Sequence, residues 1–178
     1  MSTIITAIRD NAIHMIADTG STYGNSTQHH INKIYDGGGY LVSVVGNREP
    51  YLSMYHDFSL PPTTVGASRK DYIAGPLRNT LKSVLSHIDA EEEYGIHLAF
   101  YYNSEPCLID INGNVHCVED VTYRGWVCEG SGKEVAMGVM DTLWDSDMNT
   151  RAMLEKAINA SSRYDAYTAL PSVYYCLK

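Results

Sequence analysis

The chain has 178 residues, 44 % of them apolar, and a formal net charge of −8. That length supports one domain with a substantial core, read here as a single unit over residues 1–178. The cations are dispersed and form no basic stripe, which argues against a nucleic-acid partner. No apolar run approaches a bilayer span, and Met1-Ser2-Thr3-Ile4-Ile5 lacks the basic lead and apolar block of a signal peptide, so a cytoplasmic chain with no membrane contact is expected.

The opening reads as a β-hairpin. Thr3 to Ile8 is rich in β-branched residues, Arg9-Asp10-Asn11 supplies turn chemistry, and Ala12 to Asp18 returns. A polar loop is expected from Thr19 to Asn32. Lys33-Ile34-Tyr35 and the turn Gly37-Gly38-Gly39 lead into Tyr40 to Val45, whose unbroken apolar run predicts a strand buried on both faces.

Residues 47–58 predict a helix, and Pro61-Pro62 lies in the loop that follows. Ile73, Leu77, Leu81, Val84, Leu85 and Ile88 recur at helical spacing, with Pro76 expected to kink that helix or mark its start. Ile96 to Tyr102 and Cys107 to Ile111 read as strands. Asn112-Gly113-Asn114 predicts a tight turn into Val115 to Val118. A strand at Gly125 to Cys128 approaches Gly130-Ser131-Gly132. Two helices follow, carrying Val135, Val139, Met140, Leu143 and Trp144, then Met153, Leu154, Ala157 and Ile158. Val173 to Leu177 closes as a strand.

Strands, two helices, strands, two helices and a strand imply an α+β fold. The expected architecture is a four-layer αββα sandwich, two antiparallel sheets between two helix pairs. Four cysteines (Cys107, Cys117, Cys128, Cys176) form no CxxC pair, and three lie in apolar stretches, which reads as buried thiols. His29-His30 and His116-Cys117 have no spaced partners, so no metal or cofactor is expected and the histidines read as surface or loop residues. Met15, Met137, Met140 and Trp144 read as core. Tyr101-Tyr102 and Tyr174-Tyr175 fit either sheet packing or a subunit interface.

Several separated motifs occur in one order. They are Ser2-Thr3-Ile4-Ile5, Ala17-Asp18, Thr22-Tyr23-Gly24-Asn25, Lys33-Ile34, Gly130-Ser131-Gly132, and Asp165 with Thr168 three residues later. In this the chain resembles proteasome β-type subunits and especially the HslV-like peptidases, over nearly its whole length. The resemblance implies an N-terminal-nucleophile hydrolase. Counting back from Asp18 without gaps sets Ser2 rather than Thr3 on the nucleophile, and Met1 before a small Ser2 suits removal by methionine aminopeptidase.

The resemblance also implies the roles. Ser2 supplies the nucleophilic hydroxyl and its own α-amine the base. Lys33 favours the alkoxide and Asp18 keeps Lys33 charged. Ser131 and Asp165 hold the amino terminus, and Thr22 aligns an extended peptide by backbone hydrogen bonds. The family's oxyanion glycine falls on Ser43. The implied partners are further copies of the chain in rings, an ATPase that unfolds substrates, and unfolded peptide. Taken singly, Asp18 is a strand-end turn residue, Lys33 a solvated lysine, Ser131 a helix N-cap and Asp165 a surface acid. A second class of function is a non-catalytic scaffold of the same fold with Met1 retained.

Overall fold

The computed structural model describes residues 2–23, 26–28, 31–63, 65–88, 94–112 and 118–178. The first hairpin forms where its composition places it. Strands β1 (Thr3–Arg9) and β2 (Ala12–Asp18) are joined by Asp10 and Asn11, at φ 53° and 57°. Both are residues that tolerate the left-handed region a two-residue turn requires. β1 also pairs with β10 (Trp126–Gly130), and β2 with β11 (Ser172–Leu177), giving the antiparallel order β10-β1-β2-β11.

The second sheet has the order β5-β6-β7-β8-β9, built from Ile34–Asp36, Tyr40–Gly46, Tyr94–Tyr102, Glu105–Asn112 and Val118–Asp120. Between the sheets in sequence lies a small ribbon, β3 (Ser21–Tyr23) with β4 (Ser26–Gln28), where a loop is expected from composition. Its residues are polar on both sides, so no apolar alternation marks them.

Three apolar layers hold the molecule together. Ile4, Ile13, Met15, Leu41, Val45, Ala99 and Leu108 pack between the two sheets. Ile5, Ala7 and Ile16 point the opposite way, onto α4 (Lys133–Leu143) and α5 (Thr150–Tyr164). Val42, Val44, Ile96, Leu98 and Ile109 point away from the sheet interface, onto α1 (Arg48–His56) and the helical segment from Arg69 to Val84. Alternation along each strand therefore feeds two cores at once, which explains the continuous apolar runs. The expected four-layer αββα sandwich is the fold observed.

Pro76 neither starts nor breaks its helix. The segment runs as α2 (Arg69–Tyr72), a π-helical turn at Ile73–Leu77, and α3 (Arg78–Val84). The wider turn accommodates a residue that lacks an N–H and crowds the carbonyl four places back. Ser68 caps the start, its Oγ accepting from Asp71 N–H at 3.1 Å.

Several local expectations change. His97 is buried in β7 rather than on a surface, and Met137 is largely exposed on α4. Cys107 and Cys128 are buried thiols, whereas Cys176 is exposed on the edge strand β11. The tyrosine pairs make contacts within the subunit. Tyr101 donates to the carbonyls of Asn11 and Leu177, Tyr102 to that of Ala67, and Tyr174 shares a hydrogen bond with His14. The turn expected at 112–114, the strand beginning at Val115, Gly24-Asn25, His29-His30 and His116-Cys117 fall wholly or partly outside the described residues.

Candidate active site

The start of β1 is gripped from two directions. On one side is Asp18, fully buried at the end of β2. Its Oδ1 accepts from Thr3 N–H and from Lys33 Nζ, each at 2.8 Å. Its Oδ2 accepts from Gly20 N–H at 2.9 Å and Ala169 N–H at 3.1 Å. Four donors on one carboxylate satisfy both oxygens and fix the charge in place. Asp18 is therefore far more than a strand-end turn residue, and Lys33, 8 % exposed, is no solvated lysine. Burial pulls the Lys33 ammonium below its ordinary range, and the neighbouring Asp18 opposes that shift.

On the other side lies the segment after β10. Ser131 N–H donates to the carbonyl of Ser2 at 2.9 Å. The flanking glycines are dictated by crowding. A Cβ on Gly130 would stand 1.9 Å from the Ser2 carbonyl oxygen, and its φ of 103° is one that side chains avoid. A Cβ on Gly132 would stand 2.3 Å from Thr3 Oγ1. Gly-Ser-Gly is thus the sequence that lets this segment close over Ser2 and the first residue of β1.

Ser131 does not cap α4; the N-cap is Gly132, without a side-chain bond. The Ser131 hydroxyl instead donates to Asp165 Oδ2 at 2.7 Å, and Thr168 Oγ1 donates to the same oxygen at 2.5 Å. Thr168 Oγ1 also shares a hydrogen bond of 2.5 Å with Thr3 Oγ1. Asp165, at the C-terminal end of α5, therefore organises Ser131, Thr168 and Thr3 together. The Thr3 side chain is closed into this network on the helix-facing side of β1. Ser2, one residue earlier, is 6 % exposed.

Ser43 stands differently from its expected role. It lies within β6, paired with Ile34 on one side and His97 on the other, with no exposed surface. A central position between two paired strands turns its N–H into a ladder, so it does not offer that group to a cleft. β5 ends its pairing at Ser43, while β6 continues to Gly46 with, among the described residues, only β7 paired beside it. The open edge is therefore Val44 to Gly46, adjacent to Lys33, the residue just before β5. Gly46 is exposed and at φ 97°. Counting along the sequence cannot reveal where the neighbouring strand stops.

Thr22 lies in β3, opposite Thr27. Its side chain falls outside the described residues. Among the described residues, no group of His, Cys, Asp and Glu side chains is arranged to hold a metal, and no helix is long and apolar enough to cross a membrane.

No family model and no curated protein sequence matches the chain. Solved structures do. The chain is similar to BPH from Thiobacillus denitrificans in complex with epoxomicin, at 17 % identity over 99 % of this chain and 98 % of that one, with a TM-score of 0.73. It is similar to the eukaryotic HslV of Trypanosoma brucei at 16 % identity over 99 % of each chain, TM-score 0.72. Anbu, an ancestral β-subunit from Yersinia bercovieri, matches at 12 % identity over 98 % of this chain and 81 % of that one, TM-score 0.72. The fold is that of the proteasome-type N-terminal-nucleophile proteins.

Proposed function

We propose that the chain is a subunit of a proteasome-type peptidase in which Ser2, freed by removal of Met1, is the nucleophile. The observation that carries this is the shared Asp18 oxygen, which receives both the Lys33 ammonium and the amide immediately after Ser2. Lys33, the one buried lysine among the described residues, thereby shares an acceptor with the amide that follows Ser2, which supports a place for its charge beside that residue.

The chemistry follows from those groups. The Ser2 α-amine, with an ordinary pKa of ~7.7–8.0, takes the proton from Oγ as Oγ bonds to the peptide carbonyl carbon. The Lys33 charge favours the oxygen that loses its proton. The carbonyl oxygen becomes an oxyanion, received by a backbone N–H on the open Val44–Gly46 edge, with Gly46 our assignment. The α-ammonium then protonates the departing amine, leaving an ester on Ser2, which water hydrolyses by the reverse proton path. Ser131 and Asp165 hold the amine in line. Thr22 and the open β6 edge align the substrate as an added strand.

The same reading implies a homo-oligomeric ring or stacked rings in the cytoplasm, supplied with unfolded chains by an ATPase. The likeness to HslV supports it. Light scattering on the purified protein tests the ring, since a monomer would contradict it.

Intact mass is the first test of activity. The expected chain is lighter than the full sequence by one methionine, carries one hydroxyl-directed covalent inhibitor on Ser2, and loses peptide cleavage in Ser2→Ala. A second reading, a non-catalytic scaffold, draws on the low exposure of Ser2. Retained Met1 converts the amine into an amide N–H, which cannot act as a base. A mature protein that keeps Met1, or a Ser2→Ala variant that cleaves peptides normally, would establish that reading instead.

A further inference from the structure

The bond whose hydrolysis frees Ser2 lies just ahead of a central strand. β1 is hydrogen-bonded on both sides, to β2 and to β10. Ser2 is 6 % exposed, and Thr3, Ile4 and Ile5 have no exposed surface. Both polar groups of the Ser2–Thr3 peptide unit are engaged within the chain. The carbonyl accepts from Ser131 N–H at 2.9 Å, and the N–H donates to Asp18 Oδ1 at 2.8 Å. Thr3 is opposed to Gly130, and Ile4 lies between Ala17 and Glu129. The Ser2 carbonyl fills the space that a Gly130 side chain would take.

Proteolysis needs an exposed, unpaired end. An exopeptidase draws that end into its own cleft, so the residues behind the cut bond must leave their fold. Here they are the first residues of β1. Withdrawing them breaks pairing to both β2 and β10, uncovers Ile4 and Ile5, and parts Thr3 Oγ1 from Thr168 Oγ1. A protease offered such a chain cuts only the fraction that has opened, and opening a central strand approaches global unfolding. The partners that close this end are made late. Ser131 stands 129 residues beyond Ser2, and Thr168 stands 165 beyond Thr3. Before they exist, β1 has only β2 beside it, and a lone two-stranded hairpin is marginal in water. At ~5–20 residues per second, making the intervening chain leaves the first residues accessible for on the order of ten seconds.

We propose that Met1 is removed only before this end closes, so that trimming and folding compete for the same residues and the winner fixes whether Ser2 becomes a nucleophile. The trimming step is hydrolysis of the Met1–Ser2 peptide bond by a methionine aminopeptidase. Water is consumed, methionine departs, and Ser2 gains a free α-ammonium. A chain that closes first keeps an amide there and has the fold without the base. The peptidase and the scaffold are then two fates of one sequence. The consequence for catalysis rests on the peptidase reading, whereas the order of events does not.

Intact mass tests the order. The full chain is expressed with the host's methionine aminopeptidase inhibited, purified folded with Met1 in place, freed of inhibitor and incubated with purified aminopeptidase. One reference is a peptide of residues 1–10. The other is the same folded chain with a flexible Gly/Ser segment inserted between Met1 and Ser2. The peptide and the extended chain lose methionine at rates within about threefold of each other, and the native chain loses it at least about a hundredfold more slowly, the scale of protection in a closed strand. A smaller slowing overturns the proposal, as does an extended chain that resists as strongly as the native one, since its resistance would then not come from β1. Peptide cleavage is measured separately on the trimmed chain. Absence of cleavage there removes the peptidase reading and leaves the order of trimming and folding standing on the mass measurement.

Discussion

Replacing Asp18 by Asn keeps its size and removes its charge. Three backbone N–H groups and the Lys33 ammonium converge on that carboxylate. An amide presents one oxygen and turns an NH2 group toward the other donors. Removing one member of a buried ion pair costs ~3–5 kcal/mol, a large part of a domain stability of ~5–15 kcal/mol. Lys33→Met removes the other member, with a milder outcome. Asp18 then retains its three backbone donors, so about one charge-assisted hydrogen bond is lost, roughly 1.5–3 kcal/mol. The order of the two variants is therefore fixed by who else holds each charge. Urea unfolding at about pH 7 reads it from the midpoints and slopes. The pH dependence has a definite sign. Burial already lowers the Lys33 pKa, and without Asp18 it falls further. The unfolded chain then binds the lysine proton over a range where the folded chain has released it. The Asp18→Asn deficit consequently shrinks as pH rises through that range. Equal costs for the two variants, or a greater cost for Lys33→Met, would refute this account of the pair.

Other outcomes follow from single contacts. Gly130→Ala sets a methyl on the Ser2 carbonyl and forces a non-glycine φ of 103°, so a loss of several kcal/mol in thermal or urea unfolding is expected, about 3 or more, together with loss of any activity. Lys33→Ala abolishes peptide cleavage while its circular dichroism stays that of the wild type; retained cleavage would remove Lys33 from the chemistry. Asp110→Asn separates two opposed titrations. The Asp110 carboxyl is raised to about 6, so its contribution is present at low pH and lost as pH rises through that value. His97 is lowered to about 3, so its contribution is present above its ordinary 6.5 and lost as pH falls. The two slopes cancel in the wild type over their common window. The Asn variant gains ~1–3 kcal/mol at about pH 8 and shows stability rising from about pH 4 to 6.5. A variant with the wild-type pH profile would contradict the assignment.

Apolar runs and turn residues made the frame legible in the amino-acid chain. The β1–β2 hairpin, the two helix pairs and the closing strand are where those signals lie. Asp18, Lys33, Ser131 and Asp165 were found by their order along the chain, and the structure brings them around the start of β1. Three things escaped. The β3–β4 ribbon has polar residues throughout. The end of β5 pairing, which shifts the open edge from Ser43 toward Gly46, is a fact about a neighbour strand rather than about β6. His97 and Asp110 sit in otherwise apolar strands, and that contrast was the available signal. Each points between the sheets, where strand alternation alone does not tell a solvent face from a second core.

The donors on Asp18 come from residues 3, 20, 33 and 169. The last arrives from near the far end of the chain, just before the strand that pairs with β2. A nascent polypeptide that has emerged only as far as α5 already contains Ser2, Asp18 and Lys33, yet the clasp around them is unfinished. The Asp18 clasp is therefore completed only when the last residues have been made, and a product truncated after α5 would lack one of its four donors.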